Sequence, residues 1–322
     1  MGFTRALAFS WKLAALAATI FVLSFWTLHQ SSPLRISPFT TPKHTEFPEK
    51  PLVLYVYADS ENARANLEFF VQKGLHDAAD FVFVFNGRTN ATDLIPFLPN
   101  VWIVERENTC FDLGSIGEVL TKNDLWKKYK RFITMNASVR GPFFPMYSPS
   151  CWTDVFLGRI TDRVKLVGTT MNCQPRPHVQ SMLFATDDVG MSILLDPALA
   201  TSVHSEDFGG GVNDPVGFTP CFETLLKAVH SEIGITQLIR SQGYEVDVLL
   251  TAFHAAKTPA SYCEENGNPD DILYDGQYFG TTVHPYETVF IKANRDIGPA
   301  TLSAMTRWHL AREMSSWDTC RR

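Results

Sequence analysis

Beyond residue 50 the chain alternates between short, uniformly apolar runs and longer stretches with a helical period. Leu52–Tyr57 (LVLYVY) is made of β-formers and has no polar face. Glu61–Gly74 carries Leu67, Phe70 and Val71 on one stripe and ends on a glycine, the pattern of an amphipathic helix. Asp80–Phe85 is a second apolar strand, stopped by Asn86-Gly87, and Val101–Val104 is a third. Asp112–Lys130 reads as helix and Arg131–Met135 as a fourth strand. Val164–Val167 and Met182–Ala185 add strands, and Asp187–Leu195 and Glu223–Gln242 add helices. Gly243-Tyr244 then leads into a last strand, Glu245–Leu250. Strands apolar on both faces and separated by helices predict an α/β domain with a mostly parallel central sheet flanked by helices. Sheets of this kind bind ligands at the carboxyl ends of their strands, so residues just past each strand are the first candidates for function. Thr201–Pro220, rich in Gly, Asp and Pro, reads as a long loop of the kind that serves as a lid.

The first 30 residues follow another pattern. Leu13–Leu28 is uncharged, with Arg5 and Lys12 before it and Trp11 and Trp26 where an aromatic belt would lie. Alone it is shorter than the roughly 20 residues a bilayer requires. Ala6–Trp11 lengthens it if Lys12 snorkels to the headgroups. A cleaved signal peptide is the alternative, but no small-x-small site closes the run, which favours an uncleaved transmembrane anchor. Positive charge before the run leaves the bulk of the chain outside the cytosol. The expectation is a single-pass type II membrane protein with a lumenal domain, in the Golgi or endoplasmic reticulum. Ser31–Lys50, rich in Pro, Ser and Thr and without period, reads as a stem. The expected organisation is a cytosolic tail and signal anchor at 1–30, a stem at 31–50, the α/β domain at 51–300 and a C-terminal helix or tail at 301–322.

Composition narrows the function classes. A net charge of −6, with no basic cluster interleaved with aromatics, argues against a nucleic-acid partner. Cys110, Cys151, Cys173, Cys221, Cys263 and Cys320 show no C-x-x-C spacing, so zinc and thioredoxin chemistry lack support. In an oxidising compartment they predict one or two disulfides, with the pairing open. Asn90-Ala-Thr92 is an N-glycosylation acceptor in a polar stretch after a strand. No G-x-S-x-G elbow supports a hydrolase.

Polar clusters follow the strands. Asp59-Ser60 follows the first, with Ser60 also able to cap the next helix. Asn108-Thr-Cys-Phe-Asp112-Leu-Gly114 follows the third, and Asn136-Ala-Ser138-Val-Arg140-Gly141-Pro142 the fourth. His178-Val-Gln180-Ser181 precedes the strand at Met182. Each has a structural reading: Asp112 as a helix N-cap, Gly141-Pro142 as a turn, His178 as a satisfied core residue. Their common position on the expected ligand edge favours function.

Taken in order, these segments resemble the rhamnan synthesis protein F family, glycosyltransferase-like proteins of the GT-A type, and fungal membrane-anchored proteins with no assigned function. The likeness runs from about Leu52 to Arg295. It rests on Asn108…Asp112-Leu-Gly114, RFITMNASVRGPFFP (Arg131–Pro145), VKLVGTTMN followed by HVQS (Val164–Ser181), and HPYETVFIKANR (His284–Arg295). The resemblance implies a GT-A-like fold, a nucleotide-sugar donor held across the first strands, and transfer to a glycan or other hydroxyl acceptor. Asp59, Asp112, Gly114, Asn136, Ser138, Arg140 and His178 are then the expected donor-binding residues.

A second likeness concerns Glu232. In inverting GT-A transferases an acidic pair precedes a helix that ends in Gly and an aromatic, and the second acid is the general base. Here Ser231-Glu232 precedes IGITQLIRSQ and Gly243-Tyr244, so Glu232 takes the base position while Ser231 replaces the first acid. A carboxylate suits that position because the acceptor hydroxyl must lose its proton as it attacks. An acid in a helix's first turn is also favoured by the dipole alone. The Asp-x-Asp that holds manganese or magnesium in such enzymes is here Asn136-Ala-Ser138, a weaker pair of ligands for a hard cation. Asp112, Asp154 or His178 could complete a metal site, or Arg140 could clamp the diphosphate instead. The reading is a glycosyltransferase, with a non-catalytic glycan- or partner-binding domain as the alternative.

Overall fold

The computed structural model describes residues 50–320, apart from 149, 204–210, 212 and 296. The expected anchor and all of the stem but Lys50 lie outside the described residues. Among the described residues no helix is long and apolar enough to cross a membrane.

The chain opens with β1 (Leu52–Ala58), α1 (Glu61–Lys73), β2 (Asp80–Asn86), β3 (Val101–Arg106), α2 (Phe111–Thr121) and β4 (Arg131–Asn136). It continues through β5 (Val139–Arg140), α3 (Trp152–Leu157), β6 (Val164–Gly168), β7 (Met171–Asn172), β8 (His178–Val179), β9 (Leu183–Asp187) and α4 (Asp188–Leu194). The last main elements are α5 (Leu225–Ser241), β10 (Glu245–Val248), β11 (Ile291–Lys292) and α6 (Pro299–Ala311). Seven strands form one sheet in the order β10-β6-β9-β4-β1-β2-β3. All neighbours are parallel except β9, which runs antiparallel to both β4 and β6. The mostly parallel sheet expected from the apolar runs is therefore present, with one reversed strand.

Burial explains why those runs lack a polar face. Leu52–Tyr57 and Phe81–Phe85 are buried throughout because helices cover both sides of the central strands. One layer holds α1, α3 and α6, joined by rings: Phe70 lies 5.7 Å from Trp152, and Phe69 lies 6.3 Å from His309. The other holds α2, α4 and α5. Each such fully buried aromatic contributes about 1.5–3 kcal/mol of transfer free energy. β3 is the exception. It lies at the sheet edge, and Trp102 and Ile103 are exposed.

Local signals set the helix ends. The Ser60 hydroxyl caps α1 by accepting from Ala63 N at 3.1 Å. The single helix expected over Asp112–Lys130 is instead broken. α2 stops at Thr121, and Asn123 (φ 56°) and Asp124 (φ 52°) then turn through the left-handed region, which Asn and Asp tolerate better than most residues. Gly117 lets another segment cross α2 closely: a Cβ there would lie 1.6 Å from the Phe218 carbonyl oxygen. That crossing segment is the described end of the expected lid loop. Val216 and Phe218 are buried, and the Ser231 hydroxyl accepts from Gly217 N at 3.0 Å and donates to its carbonyl at 3.1 Å. This part of the loop is docked and forms no lid.

Three disulfides form, where one or two were expected: Cys110–Cys221, Cys151–Cys320 and Cys173–Cys263. The second ties the C-terminal segment to the start of α3. Lys73 on α1 donates to the Arg312 carbonyl at 2.5 Å, and the Ser316 hydroxyl donates to the Lys73 carbonyl at 2.6 Å. The residues after 300 thus pack as part of the same unit as the sheet.

Two features of the topology place the site. β1, β2 and β3 step outward in one direction while β4 returns to the other side of β1, so a crevice opens between the carboxyl ends of β1 and β4. The reversal of β9 brings its first residues to that same edge, with Leu183 opposite Met135 near the end of β4. A short antiparallel ribbon, β5 with β11, then closes over the end of β4.

Candidate active site

A cleft of about 520 Å³ occupies the crevice predicted by the strand order, between Val56 and Ala58 of β1 and Asn136–Ser138 after β4. Five asparagines reach it: Asn62, Asn86, Asn108, Asn136 and Asn294. Ser60 and Ser138 add hydroxyls, so its polar lining is mostly neutral. Asp112 and Lys292 are the only charged residues lining it among those described.

The Asn136-Ala-Ser138 segment is closed on itself. Asn136 Oδ1 accepts from Ser138 N at 3.1 Å and from the Ser138 hydroxyl at 2.5 Å. Its Nδ2 donates to Asp112 Oδ2 at 2.5 Å. The other Asp112 oxygen accepts from Leu113 N at 3.0 Å. Burial raises the Asp112 pKa and the negative charge of Glu232 adds to the rise, against the lowering effect of the Asn136 bond. Asp112 lies inside the first turn of α2, whose N-cap is Cys110, so the capping role expected for it is not the one it takes.

This donor set does not fit a divalent cation. A hard cation takes six or more oxygens, preferably carboxylate. Here one carboxylate is engaged by an amide N–H, and the amide oxygen beside it already accepts two hydrogen bonds. Asp154 cannot complete the set. It lies near Arg131, at the start of β4, on the opposite edge of the sheet.

Glu232 stands beside this cleft, and neighbours from three elements fix it. Its Oε2 accepts from Ser181 N at 2.8 Å and also from the Ser181 hydroxyl. Its Oε1 faces His178 Nε2 at 3.9 Å, and His178 Nδ1 is 2.8 Å from the Arg176 carbonyl. Burial alone would raise the Glu232 pKa, but the charges of Lys292 and His178 and the Ser181 bonds outweigh it and hold the carboxyl below its ordinary value. Glu232 is therefore ionised at neutral pH. α5 begins at Leu225, capped by the Thr224 hydroxyl, so Glu232 lies beyond the first turn, where the helix dipole acts. The dipole does not account for it.

The remaining expected donor-binding residues divide. Asp59 is exposed at the rim, accepting from the Tyr57 hydroxyl at 2.5 Å and from Thr89 at 3.1 Å, and these bonds lower its pKa. Tyr57 in turn is pushed up to about 12, first by burial and then by Asp59. His178 is buried, faces Glu232 and is not among the residues lining the cleft. Gly114 is a packing residue: a Cβ there would meet the Pro220 carbonyl at 2.8 Å. Arg140 turns away from the cleft. It donates to Asn66 Oδ1 at 2.8 Å and lines a separate recess of about 300 Å³ with Thr306 and Arg307. Ser231 is held by Gly217 and has no part in an acidic pair. Asn90 is exposed, with its Oδ1 accepting from Arg64 at 2.7 Å.

Sequence reasoning missed Lys292, Asn62, Asn86 and Asn294 as site residues. Lys292 pairs with Val139 across the β5–β11 ribbon, and Ala293 N donates to the Ser138 carbonyl at 2.8 Å, which carries the lysine to the end of β4. Its signal was a lone cation in the apolar run VFIKA. At the rim, Cys110 (φ 69°) and Phe111 (φ 53°) both adopt the left-handed region, a strain of about 1–3 kcal/mol each that persists because the Cys110–Cys221 disulfide and the crossing of α2 fix them. Phe111 is thereby held exposed between the cleft and an adjoining recess of about 450 Å³.

No family model matches the chain, and no curated protein matches it. Among solved structures it is similar to mouse xyloside xylosyltransferase 1 in its apo form, with 11% identity over 76% of this chain and 98% of that one and a TM-score of 0.40. It is also similar to a cytidylyltransferase from Leptospira borgpetersenii, with 8% identity over 73% and 100% of the two chains and a TM-score of 0.35. A 4-diphosphocytidyl-2C-methyl-D-erythritol synthase follows, with 12% identity over 46% and 80% and a TM-score of 0.31. Likenesses this distant assign no activity to the chain.

Proposed function

We propose that the chain is a GT-A-type glycosyltransferase that moves a sugar from a nucleotide-sugar donor to a hydroxyl of a glycan or other acceptor. The observation that carries this reading is the Glu232 carboxylate, ionised and fixed by Ser181 beside a neutral, amide-lined cleft at the switch point of the sheet. Amides and hydroxyls both donate and accept, which suits the hydroxyls of a sugar and the edges of a base, and Phe111 offers a ring face at the rim. In the reaction the acceptor oxygen attacks the anomeric carbon as the bond to the donor phosphate breaks. Glu232 takes the acceptor's proton, and Ser181 and His178 hold the carboxylate in line for that transfer. The donor occupies the crevice between β1 and β4, beside Asp112, Asn136 and Ser138.

Membership in the rhamnan synthesis protein F-like group, an anchor within residues 1–30, and a lumenal domain in the Golgi or endoplasmic reticulum belong to the same proposal. Three disulfides and the exposed Asn90 of the Asn-Ala-Thr acceptor support a lumenal site. The test is a panel of nucleotide sugars incubated with the full-length chain, reading release of nucleoside diphosphate. Release by the wild type that is lost in Glu232→Gln is the expected result. Binding without turnover across the panel would instead favour a non-catalytic glycan-binding domain, the reading to which Asn136 and Ser138 in place of carboxylates lend weight.

A further inference from the structure

The cleft of a diphosphate-leaving enzyme must supply positive charge, and in this chain the Asn136-Ala-Ser138 end of β4 does not form a cation site. Lys292 stands where that charge is needed. The β5–β11 ribbon fixes its backbone opposite Val139, and the neighbouring Ala293 is bonded both to Ser138 and to Asn62 Nδ2, the latter at 3.0 Å. Its side chain is half-buried and lines the same cleft as Asp112, Asn136 and Ser138. Among the described residues Lys292 makes no ion pair. A half-buried ammonium whose charge acts on Glu232 without an ion pair to it, opening into a cleft lined mostly by neutral amides, is suited to receive an anion. Asn62, which anchors the ribbon through Ala293, also lines the cleft, so the lysine rides on a braced element.

From this geometry we infer that Lys292 binds the diphosphate of the donor and stabilises it as the leaving group, and that transfer therefore needs no divalent cation. The inference rests on the glycosyltransferase reading above and specifies how its donor is held. In the displacement the bond between the anomeric carbon and the phosphate oxygen breaks, and its electron pair stays on that oxygen. The acceptor oxygen forms the new bond, its proton passes to Glu232, and the Lys292 ammonium keeps its own protons while donating to the phosphate. No oxidant, reductant or further reactant enters.

The test is calorimetric titration of the full-length chain with inorganic pyrophosphate, uridine diphosphate and guanosine diphosphate, each with chelator and with added magnesium or manganese. At least one diphosphate is expected to bind in chelator, with added cation changing its affinity by less than about threefold. Lys292→Met should weaken binding about tenfold to a hundredfold, the contribution of a charge-assisted hydrogen bond, and Lys292→Arg should restore most of it. Because Lys292 joins the ribbon through its backbone, melting curves of both variants should match the wild type, and a variant that fails this check is replaced by Lys292→Gln. Binding abolished by chelator and indifferent to Lys292→Met overturns the inference and leaves the donor reading intact. No diphosphate binding under any condition overturns both.

Discussion

The floor of the cleft and the wall beside it are built on different principles. The floor consists mostly of neutral amides and hydroxyls at the ends of β1, β2 and β4 and just after β3, namely Ser60, Asn86, Asn108, Asn136 and Ser138, with the Asp112 carboxyl bonded to Asn136. Each lies at or within a few residues of its strand's end, so successive βα units place them. The wall consists of Glu232, Ser181, His178 and Lys292, which come from α5, the turn before β9, β8 and β11. Glu232 and Lys292 carry charge, Ser181 bonds the carboxylate and His178 faces it, so the groups depend on one another across long stretches of chain. Neutral groups that accept and donate suit recognition, because they bind many hydroxyls without paying to desolvate a charge. Charged groups fixed by neighbours suit bond-making, because their fields are set before the substrate arrives. On the proposed transferase reading, the floor would serve binding and the wall chemistry.

The strongest way to break that division is at the base. Glu232→Gln keeps shape and hydrogen bonding, and turnover should fall by about two to four orders of magnitude with donor affinity nearly unchanged. Loss of both in parallel would place Glu232 in the floor's role. Next in size is Asn136→Asp, which sets a second carboxylate against Asp112 where an amide N–H now donates. The expected cost is about 1–3 kcal/mol in chelator, visible as a fall of several degrees in melting temperature and reversed by manganese. An unchanged melting temperature would show that the Asn136–Asp112 bond does not hold the floor. A smaller effect belongs to Asn108→Ala, which should raise KM about threefold to tenfold with kcat preserved, as loss of one neutral hydrogen bond implies.

The mildest effect is in pH. Because Lys292, His178 and Ser181 hold the Glu232 pKa below its ordinary value, the acid limb of activity should lie below the usual glutamate range of about 4.3. Lys292→Met removes one lowering charge, so the limb should move to higher pH, as rate profiles of the two proteins would reveal. The same sign governs stability. The group favours the fold at pH above its unfolded pKa, and that contribution disappears as pH falls through the folded one.

The floor was largely readable before the structure, and the wall was not. Asp112, Asn136 and Ser138 were found by one local rule, that ligands gather past the carboxyl ends of strands, and the apolar runs located those ends. The same rule misled at Arg140 and Gly114. Neighbours in sequence can point away from the crevice, as Arg140 does toward Asn66, or can serve helix packing, as Gly114 does. Glu232 was singled out through its resemblance to a family pattern, but the neighbours that fix it were not legible. Periodicity does not report strand direction, so the reversal of β9 that brings Ser181 to this edge was invisible. Lys292 lies in a two-residue strand paired with Val139, too short for any periodic signal. The break in the helix after Thr121 had a readable cue in Asn123-Asp124, whose side chains tolerate the left-handed turn.

The three disulfides make the cleft dependent on how the chain is produced. They join cysteines 111, 169 and 90 residues apart, and chain-entropy estimates give about 4–5 kcal/mol for each loop of that length. Even a fraction of that sum rivals the roughly 5–15 kcal/mol by which whole domains are stable. One bridge, Cys110–Cys221, also borders the recess beside Phe111, so its loss would alter the rim before it unfolded the sheet. Protein made in a reducing cytosol should therefore be marginal in stability and poor at binding. A negative activity screen carries weight only after mass spectrometry of the alkylated, non-reduced chain has shown all six cysteines paired.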